Sequence, residues 1–273
     1  MNERSSVTKI AFARTVGISR THLYYHHKKP EKDWGLKQKI EEVLRVHPSY
    51  GSRRIALELR LNRKRVKRVM NIFGIKPYRR RGRKFRKTKD NSVSFPNLLL
   101  IEYPIRQNHI WASDFTHLSF HGKIVYIATV IDLFTREIVG FSVLTTHSIQ
   151  LVIAAFIAAI HKHPPPVVIH SDHGSEYTSK DYLAITERLG IAVSMSKKAS
   201  PWENGYQESF YSQFKVDLGD PNRFATLGEL VYAIYQTIHS YNHSRIHTKL
   251  KMPPAIFAER HLERSKQLVE AVS

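Results

Sequence analysis

The order of apolar segments after residue 106 limits the possible folds more than any other feature of the chain: three strand-like runs in succession, then a strict alternation of helix and strand. HIWASDFTHLSF, IVYIATVID and EIVGFSVL are rich in β-branched and aromatic residues. The turns between them are too short for a crossover, which predicts an antiparallel meander. Ile149 to Ile160 has the length and composition of a helix, and VVIHSD reads as a short buried strand after the Pro164–Pro166 breaker. SKDYLAITERLG reads as a helix closed by Gly190, and IAVSMS as a fifth strand. The sum is an α/β domain, a mixed five-stranded sheet with flanking helices.

Charge divides the chain near the same boundary. Residues 1–100 hold 27 Lys and Arg against 7 Asp and Glu, whereas residues 101–273 hold 16 of each, so the formal net charge of +20 sits in the first hundred residues. Such asymmetry points to a nucleic-acid-binding front on a domain with another task, a basic tail on anionic lipid being the other source of the same pattern. KIAFARTVGISRTHLYY has helical spacing up to Val16, a permissive Gly17, and Ser19 as cap of a second short helix that exposes Arg20, Thr21 and His22. It reads as a helix-turn-helix or, more plainly, a small helical hairpin. A second all-α unit follows, with Asn62 as the cap of a helix that turns Val66, Val69, Met70 and Phe73 inward and Arg63, Lys64, Arg65, Lys67 and Arg68 outward. No acidic residue lies between Glu58 and Asp90, so contact with phosphates is the expected role of that outer face. YRRRGRKFRKTK, including Arg79, Arg80 and Arg81, lacks apolar periodicity and reads as a basic linker tracking a DNA backbone. The expected organisation is a DNA-binding region at 1–77, a linker at 78–105, and an α/β domain at 106–273 with a C-terminal helical extension.

Composition removes several chemistries. With no cysteine, disulfide frameworks, thiolate metal sites and a cysteine nucleophile are excluded. The longest apolar run, Leu151 to Ile160, is half of what a membrane span needs, and no signal segment opens the chain; a soluble protein of the reducing cytoplasm is expected. No two glycines are close enough for a nucleotide-binding glycine loop.

What remains is carried by acids. Asp114 interrupts an apolar strand between Trp111 and Phe115, and Asp172 ends the strand VVIHSD, where open α/β sheets bind ligands. Asp172, followed by His173 and Gly174, also suits a turn. Glu208 lies in the helix ENGYQESFYSQFKVDL, on a stripe with Ser212 and Lys215 opposite Phe210, Phe214 and Leu218. That stripe faces either solvent or the two aspartates. In the second case three carboxylates meet, a hard-oxygen set suited to Mg²⁺ or Mn²⁺.

WASDFTHL, VVIHSDHGSEYTS and SPWENGYQESFYSQFK together resemble the Asp, Asp, Glu pattern of the retroviral-integrase superfamily, with 35 residues between Asp172 and Glu208 and Lys215 seven positions further on. Within it the chain is most similar to transposases of bacterial insertion sequences whose second reading frame encodes the catalytic half. YIATVIDLFTREIVGFSV, HPSYGSRRIALEL and YNHSRIHTKLKMPPAIF extend the likeness over nearly the whole chain. The resemblance implies a ribonuclease-H-like fold, Mg²⁺ dependence with Mn²⁺ as substitute, and cleavage and joining of double-stranded DNA at the ends of a mobile element. It implies Asp114, Asp172 and Glu208 as catalytic metal ligands and Lys215 as a DNA contact. Glu203 is the competing acid, better placed to cap the first turn; Asp132 and Glu137 read as turn or surface residues, and His173 and Glu176 as neighbours of Asp172 with a positioning or structural role. It further implies a homo-oligomer holding two DNA ends, a nucleoid-associated location, and an upstream-frame (OrfA-type) partner, for no coiled-coil heptads are visible here. The rival readings are a nuclease on the same fold that never joins strands, and a DNA-binding regulator with an inactive back domain.

Overall fold

The computed structural model describes residues 13–15, 17, 29–78, 95–196 and 205–270. The predicted helix-turn-helix therefore lies outside the described residues except for a helical turn at 13–15 and Gly17, whose φ of +71° is the left-handed value expected of that turn. Arg20, Arg79, Arg80, Arg81 and Glu203 also lie outside them.

The α/β part of the chain has the predicted topology. Strands β1 (Ile110–Phe120), β2 (Lys123–Asp132) and β3 (Ile138–Leu144) form the antiparallel meander, and β4 (Val168–Ser171) and β5 (Ala192–Met195) add parallel to β1. The spatial order is β3-β2-β1-β4-β5, a ribonuclease-H-like sheet. Because strand side chains alternate between faces, one sequence supplies two cores. Ile110, Ala112 and Ile127 pack with Phe210, Phe214, Leu230 and Ile234 from helices that follow β5, whereas Trp111, Val130 and Ile169 pack with Val152, Phe156 and Tyr182 on the other face. Burying side chains of this size contributes about 1.5–3 kcal/mol each.

Helices α4 (Ile149–Lys162) and α5 (Lys180–Arg188) cover the second face; α6 (Gly205–Leu218) and α7 (Leu227–His243) cover the first, and α8 (Pro254–Glu270) packs on α7. Helix α4 approaches β3 so closely that a Cβ on Gly140 would lie 2.7 Å from Ala159 Cβ. Only glycine fits there. Asp132 is a turn residue, as expected, but a fully buried one: its carboxylate accepts from the backbone N–H of Phe134 (2.7 Å), Thr135 (2.9 Å) and Asn108 (2.6 Å), fixing the β2–β3 turn. Residues 95–102, within the stretch read as linker, pack on the sheet: Leu98 N–H donates to Ser194 Oγ at 2.9 Å, and Leu98 and Leu99 reach the first core.

The preceding helical unit contains a helix not anticipated from the sequence, α1 (Lys29–Val46), which places Leu36 and Ile40 against α2 (Ser52–Glu58) and α3 (Arg63–Ile72). Asn62 caps α3 as expected, accepting from Lys64 N–H at 2.8 Å. Val66, Val69 and Met70 are buried while Arg63, Lys64, Arg65, Lys67 and Arg68 are exposed. Arg68, however, forms a bidentate pair with Asp33 of α1 at 2.5 and 2.8 Å. The compensating acid lies far away in sequence, and it withdraws Arg68 from the set of free cations.

This unit is docked on α6. Arg245, just after α7 and 2% exposed, pairs with Asp217 of α6 at 2.5 Å and donates to Ser49 Oγ at 2.8 Å and to Gln213 Oε1. Arg54 donates to Gln213 Oε1 at 3.1 Å, and the Ile246 N–H donates to Tyr50 Oη at 2.7 Å. Two histidines sit in this cationic junction. Burial, then Arg245 and Arg54, lower His47 to about 4; burial, then Arg136, Arg54, Arg245 and Lys249, lower His247 to about 4. In the unfolded chain both titrate near 6.5, so between pH 6.5 and 4 the unfolded state binds more protons and stability falls with acidification. Each contributes a slope of at most about 1.4 kcal/mol per pH unit in that window. Urea unfolding between pH 7 and 4.5 is expected to show it, with a flatter profile for His47→Gln and His247→Gln; an unchanged slope in both would refute the linkage.

Candidate active site

Pairing register brings the two aspartates together. Ala112 of β1 is level with His170 of β4 in a parallel pair, so two residues further on Asp114 is level with Asp172, where the strands part. Asp114 shares the sheet face of Ala112, the face covered by α6, and Glu208 stands in the first turn of that helix.

Helix α6 is held to β1 by polar groups that amphipathic reasoning passes over. Gln207 is fully buried and donates through Nε2 to Ala112 O at 2.7 Å. Tyr211 donates to Asp114 O at 2.7 Å, and Thr129 Oγ1 lies 2.9 Å from Tyr211 Oη and 3.1 Å from Gln207 Oε1. These bonds bracket Asp114 and set the height of Glu208 above it. The sequence signal is a polar pair at i and i+4 that borders the Phe210–Phe214 stripe on the strand side. Beneath the aspartates Tyr177, fully buried, lies 3.1 Å from Ser113 Oγ; burial and then the Asp114 and Asp172 charges raise its pKa.

The loop after β4 is shaped around carboxylates. Gly174 N–H donates to Asp172 Oδ1 at 2.9 Å, and a Cβ on Gly174 would lie 3.0 Å from both Asp172 Oδ1 and Glu176 Oε2. Glu176 is buried and pairs with His147 Nε2 at 2.9 Å. It is thus the neighbour of Asp172, and His147 is the partner that sequence reading did not find.

Electrostatics joins the predicted set. Asp114 is half-buried and its pKa is pushed up to about 8, first by burial, then by Asp172 and Glu208, while the Phe115 N–H and Lys215 oppose the shift. Burial, and Glu176 more weakly, raise Asp172; burial raises Glu208, which is otherwise exposed. Asp172, Glu208 and Lys215 are thus near enough to act electrostatically on Asp114, whereas Arg63, Lys64, Arg65 and Lys67 lie on the separate surface of α3. Among the described residues no group of three His, Asp or Glu side chains is placed to hold a metal ion. The donor chemistry nevertheless fits a divalent cation: hard carboxylate oxygens whose mutual repulsion and burial a positive ion would relieve.

Two family models for the integrase core domain match residues 104–201 and 189–254. The chain is 34% identical to the transposase for insertion sequence element IS904 of Lactococcus lactis over 241 residues, covering 82% of this chain and 94% of that protein. It is 31% identical to transposase InsF for insertion sequence IS3A of Escherichia coli over 211 residues, 73% of each. Solved structures similar to it include the HTLV-2 integrase catalytic core domain in complex with magnesium, with 20% identity over 57% of this chain and 99% of that one and a TM-score of 0.45. A simian T-cell lymphotropic virus intasome is also similar, with 15% identity over 77% and 70% of the chains and a TM-score of 0.49.

The integrase-core family models, together with the insertion-sequence transposases that the chain matches over most of its length, make it a polynucleotidyl transferase with an integrase core. Within that class the chain belongs to the transposases of bacterial insertion sequences.

Proposed function

We propose that the chain catalyses divalent-metal-dependent DNA strand cleavage and strand transfer at the ends of its mobile element, with Asp114, Asp172 and Glu208 as the catalytic carboxylates. The observation that carries this reading is the register of β1 on β4, which levels Asp114 with Asp172 beneath the helix of Glu208, so that Asp172 and Glu208 both raise Asp114's pKa. The three carboxylates would hold Mg²⁺, or Mn²⁺ in its place. Bound there, the metal supplies activation of the attacking oxygen and charge stabilisation at the leaving one.

The residues of the chain supply the rest. Gln207 and Tyr211 hold the carboxylates in relative position through the β1 backbone, and Lys215, whose charge favours ionised Asp114, offers an ammonium to a DNA phosphate. Arg63, Lys64, Arg65 and Lys67 form a basic face for backbone phosphates, extended in sequence by Arg20 and Arg79–Arg81. In the first reaction water adds to a phosphodiester at the element end and a 3′-hydroxyl leaves. In the second, that hydroxyl attacks another phosphodiester in line, one P–O bond forming as another breaks. Two DNA ends imply at least two copies of the chain, and an upstream-frame protein is the expected source of further DNA binding.

The test incubates purified full-length protein, with and without the upstream-frame product, on DNA carrying the terminal repeats of its own element. Joined strands that require Mg²⁺ are expected. Hydrolysis with no joined product would transfer the assignment to a nuclease on the same fold.

A further inference from the structure

A cavity of about 370 Å³ opens on the flank of α6, between the docked helical unit, the β2–β3 turn and the loop after α7. Its size lies near the lower end for ligand sites. Four cationic side chains line it, Arg54, Arg136, Arg245 and Lys249, together with His247 and Ser209, and among the described residues none of its walls is acidic. Asp217 is engaged by Arg245, and Asp132 spends its carboxylate on backbone N–H groups. Among the described residues one carboxylate therefore answers several guanidinium groups.

Arg136 shows the imbalance most directly. It is 4% exposed, its guanidinium stacks over Tyr206 at 4.2 Å, and its Nε and Nη1 are buried with no hydrogen-bond partner. Arg54 Nε and His247 Nδ1 are buried and unpartnered at the same cavity. Buried guanidinium N–H groups left without a partner are costly, and a fork of such donors lining a cavity matches the oxygens of an anion such as a phosphate. Burial first, and then the cations of the cavity, hold His247 well below its ordinary value, and Arg54 is lowered by burial and by Arg245.

We propose that this cavity is a second phosphate-binding site, away from the catalytic carboxylates, and that its occupant is a backbone phosphate of a bound DNA strand. The proposal rests on the reading of the chain as a DNA-acting transposase. DNA rather than a free ion is favoured by position. One wall is the helical unit that carries the basic face, the other is α6, and Ser209 follows Glu208 directly, so a strand resting on both parts passes the junction. Arg136 and Lys249 would then grip the duplex while the chemistry proceeds on the neighbouring stripe of the same helix.

The test uses full-length protein and binding, not catalysis, as its readout. Anisotropy of a labelled terminal-repeat duplex is measured across salt concentrations for the wild type, Arg136→Gln, Arg136→Lys and Lys249→Gln. Lys249 is exposed, so its variant keeps the test open if Arg136→Gln does not fold. Each lost phosphate contact is expected to reduce the slope of log K against log salt by about 0.9. Arg136→Lys is expected to retain the slope. In parallel, inorganic phosphate at fixed ionic strength is expected to raise the melting temperature of the wild type but not of Lys249→Gln, and to compete with DNA. Unchanged slopes in Arg136→Gln and Lys249→Gln overturn the proposal; if phosphate still stabilises the wild type in that case, the site is one for free phosphate. A protein that binds DNA with these slopes but joins no strands fails the catalytic reading alone.

Discussion

Replacing Asp114 with Asn is expected to abolish strand cleavage and strand joining, by three orders of magnitude or more, while binding of the element end survives and the metal-free protein becomes more stable. The opposite signs follow from one cause. In the folded protein Asp114 stays protonated up to about pH 8, because burial and the charges of Asp172 and Glu208 oppose its ionisation, whereas in the unfolded chain it ionises near 4. Between those values the folded state holds a proton that the unfolded state has lost, so the carboxyl withdraws stability as pH rises. Asn removes that term, and the rise in Tm grows from pH 4 to 8, each kcal/mol being worth about 2–4 °C for a domain of this size. Asn lacks the charge that holds a divalent cation, and a thousandfold loss corresponds to about 4 kcal/mol of transition-state stabilisation. Asp172→Asn and Glu208→Gln are expected to share the catalytic loss; Glu208, being exposed, should leave Tm nearly unchanged. Mg²⁺ should raise the Tm of the wild type and not that of Asp114→Asn. A variant that loses stability and keeps catalysis would mark its acid as structural.

The catalytic half was legible because its elements are decided locally. Period-2 runs with short turns can pair only as a meander, and Asp114 is conspicuous as a carboxylate inside an apolar strand. Asp172 and Glu208 were visible as candidates, but the levelling of Asp172 with Asp114 depends on the offset of β4 against β1, a tertiary register that no single segment encodes. Gln207 and Tyr211 escaped notice for a related reason: their burial depends on backbone carbonyls of β1, which no local pattern of the helix reveals. Arg68 was grouped with free cations because its partner, Asp33, is 35 residues away in a helix the sequence reading did not find. The two segments HPSYGSRR and YNHSRIH stood out in sequence without any evident relation. In the fold they touch: Ser49, Tyr50 and Arg54 of one meet Arg245 and Ile246 of the other.

That meeting predicts a large stability effect remote from the carboxylates. Arg245→Met is expected to destabilise the protein by about 3–5 kcal/mol, because it leaves Asp217 charged, largely buried and without its ion-pair partner, and removes the donor to Ser49 and Gln213. Adding Asp217→Leu is expected to recover most of the loss, since the cost lies in the orphaned charge rather than in the missing attraction. Hydrogen exchange separates the local from the global part: in Arg245→Met, amides of Tyr50 and α2 should exchange faster than those of β1 and β2 if the helical unit detaches before the sheet opens. A single variant costing less than about 1 kcal/mol, or a double variant no better than the single, would refute this account. An apolar contact of the same area could hold the two halves together as tightly. The guanidinium adds direction: it bonds Asp217, Gln213 and Ser49 at once, and only one orientation of the basic unit on α6 satisfies all three. The helix held in that orientation is the one that carries Glu208, so Arg245 fixes how the basic unit sits relative to the proposed catalytic glutamate.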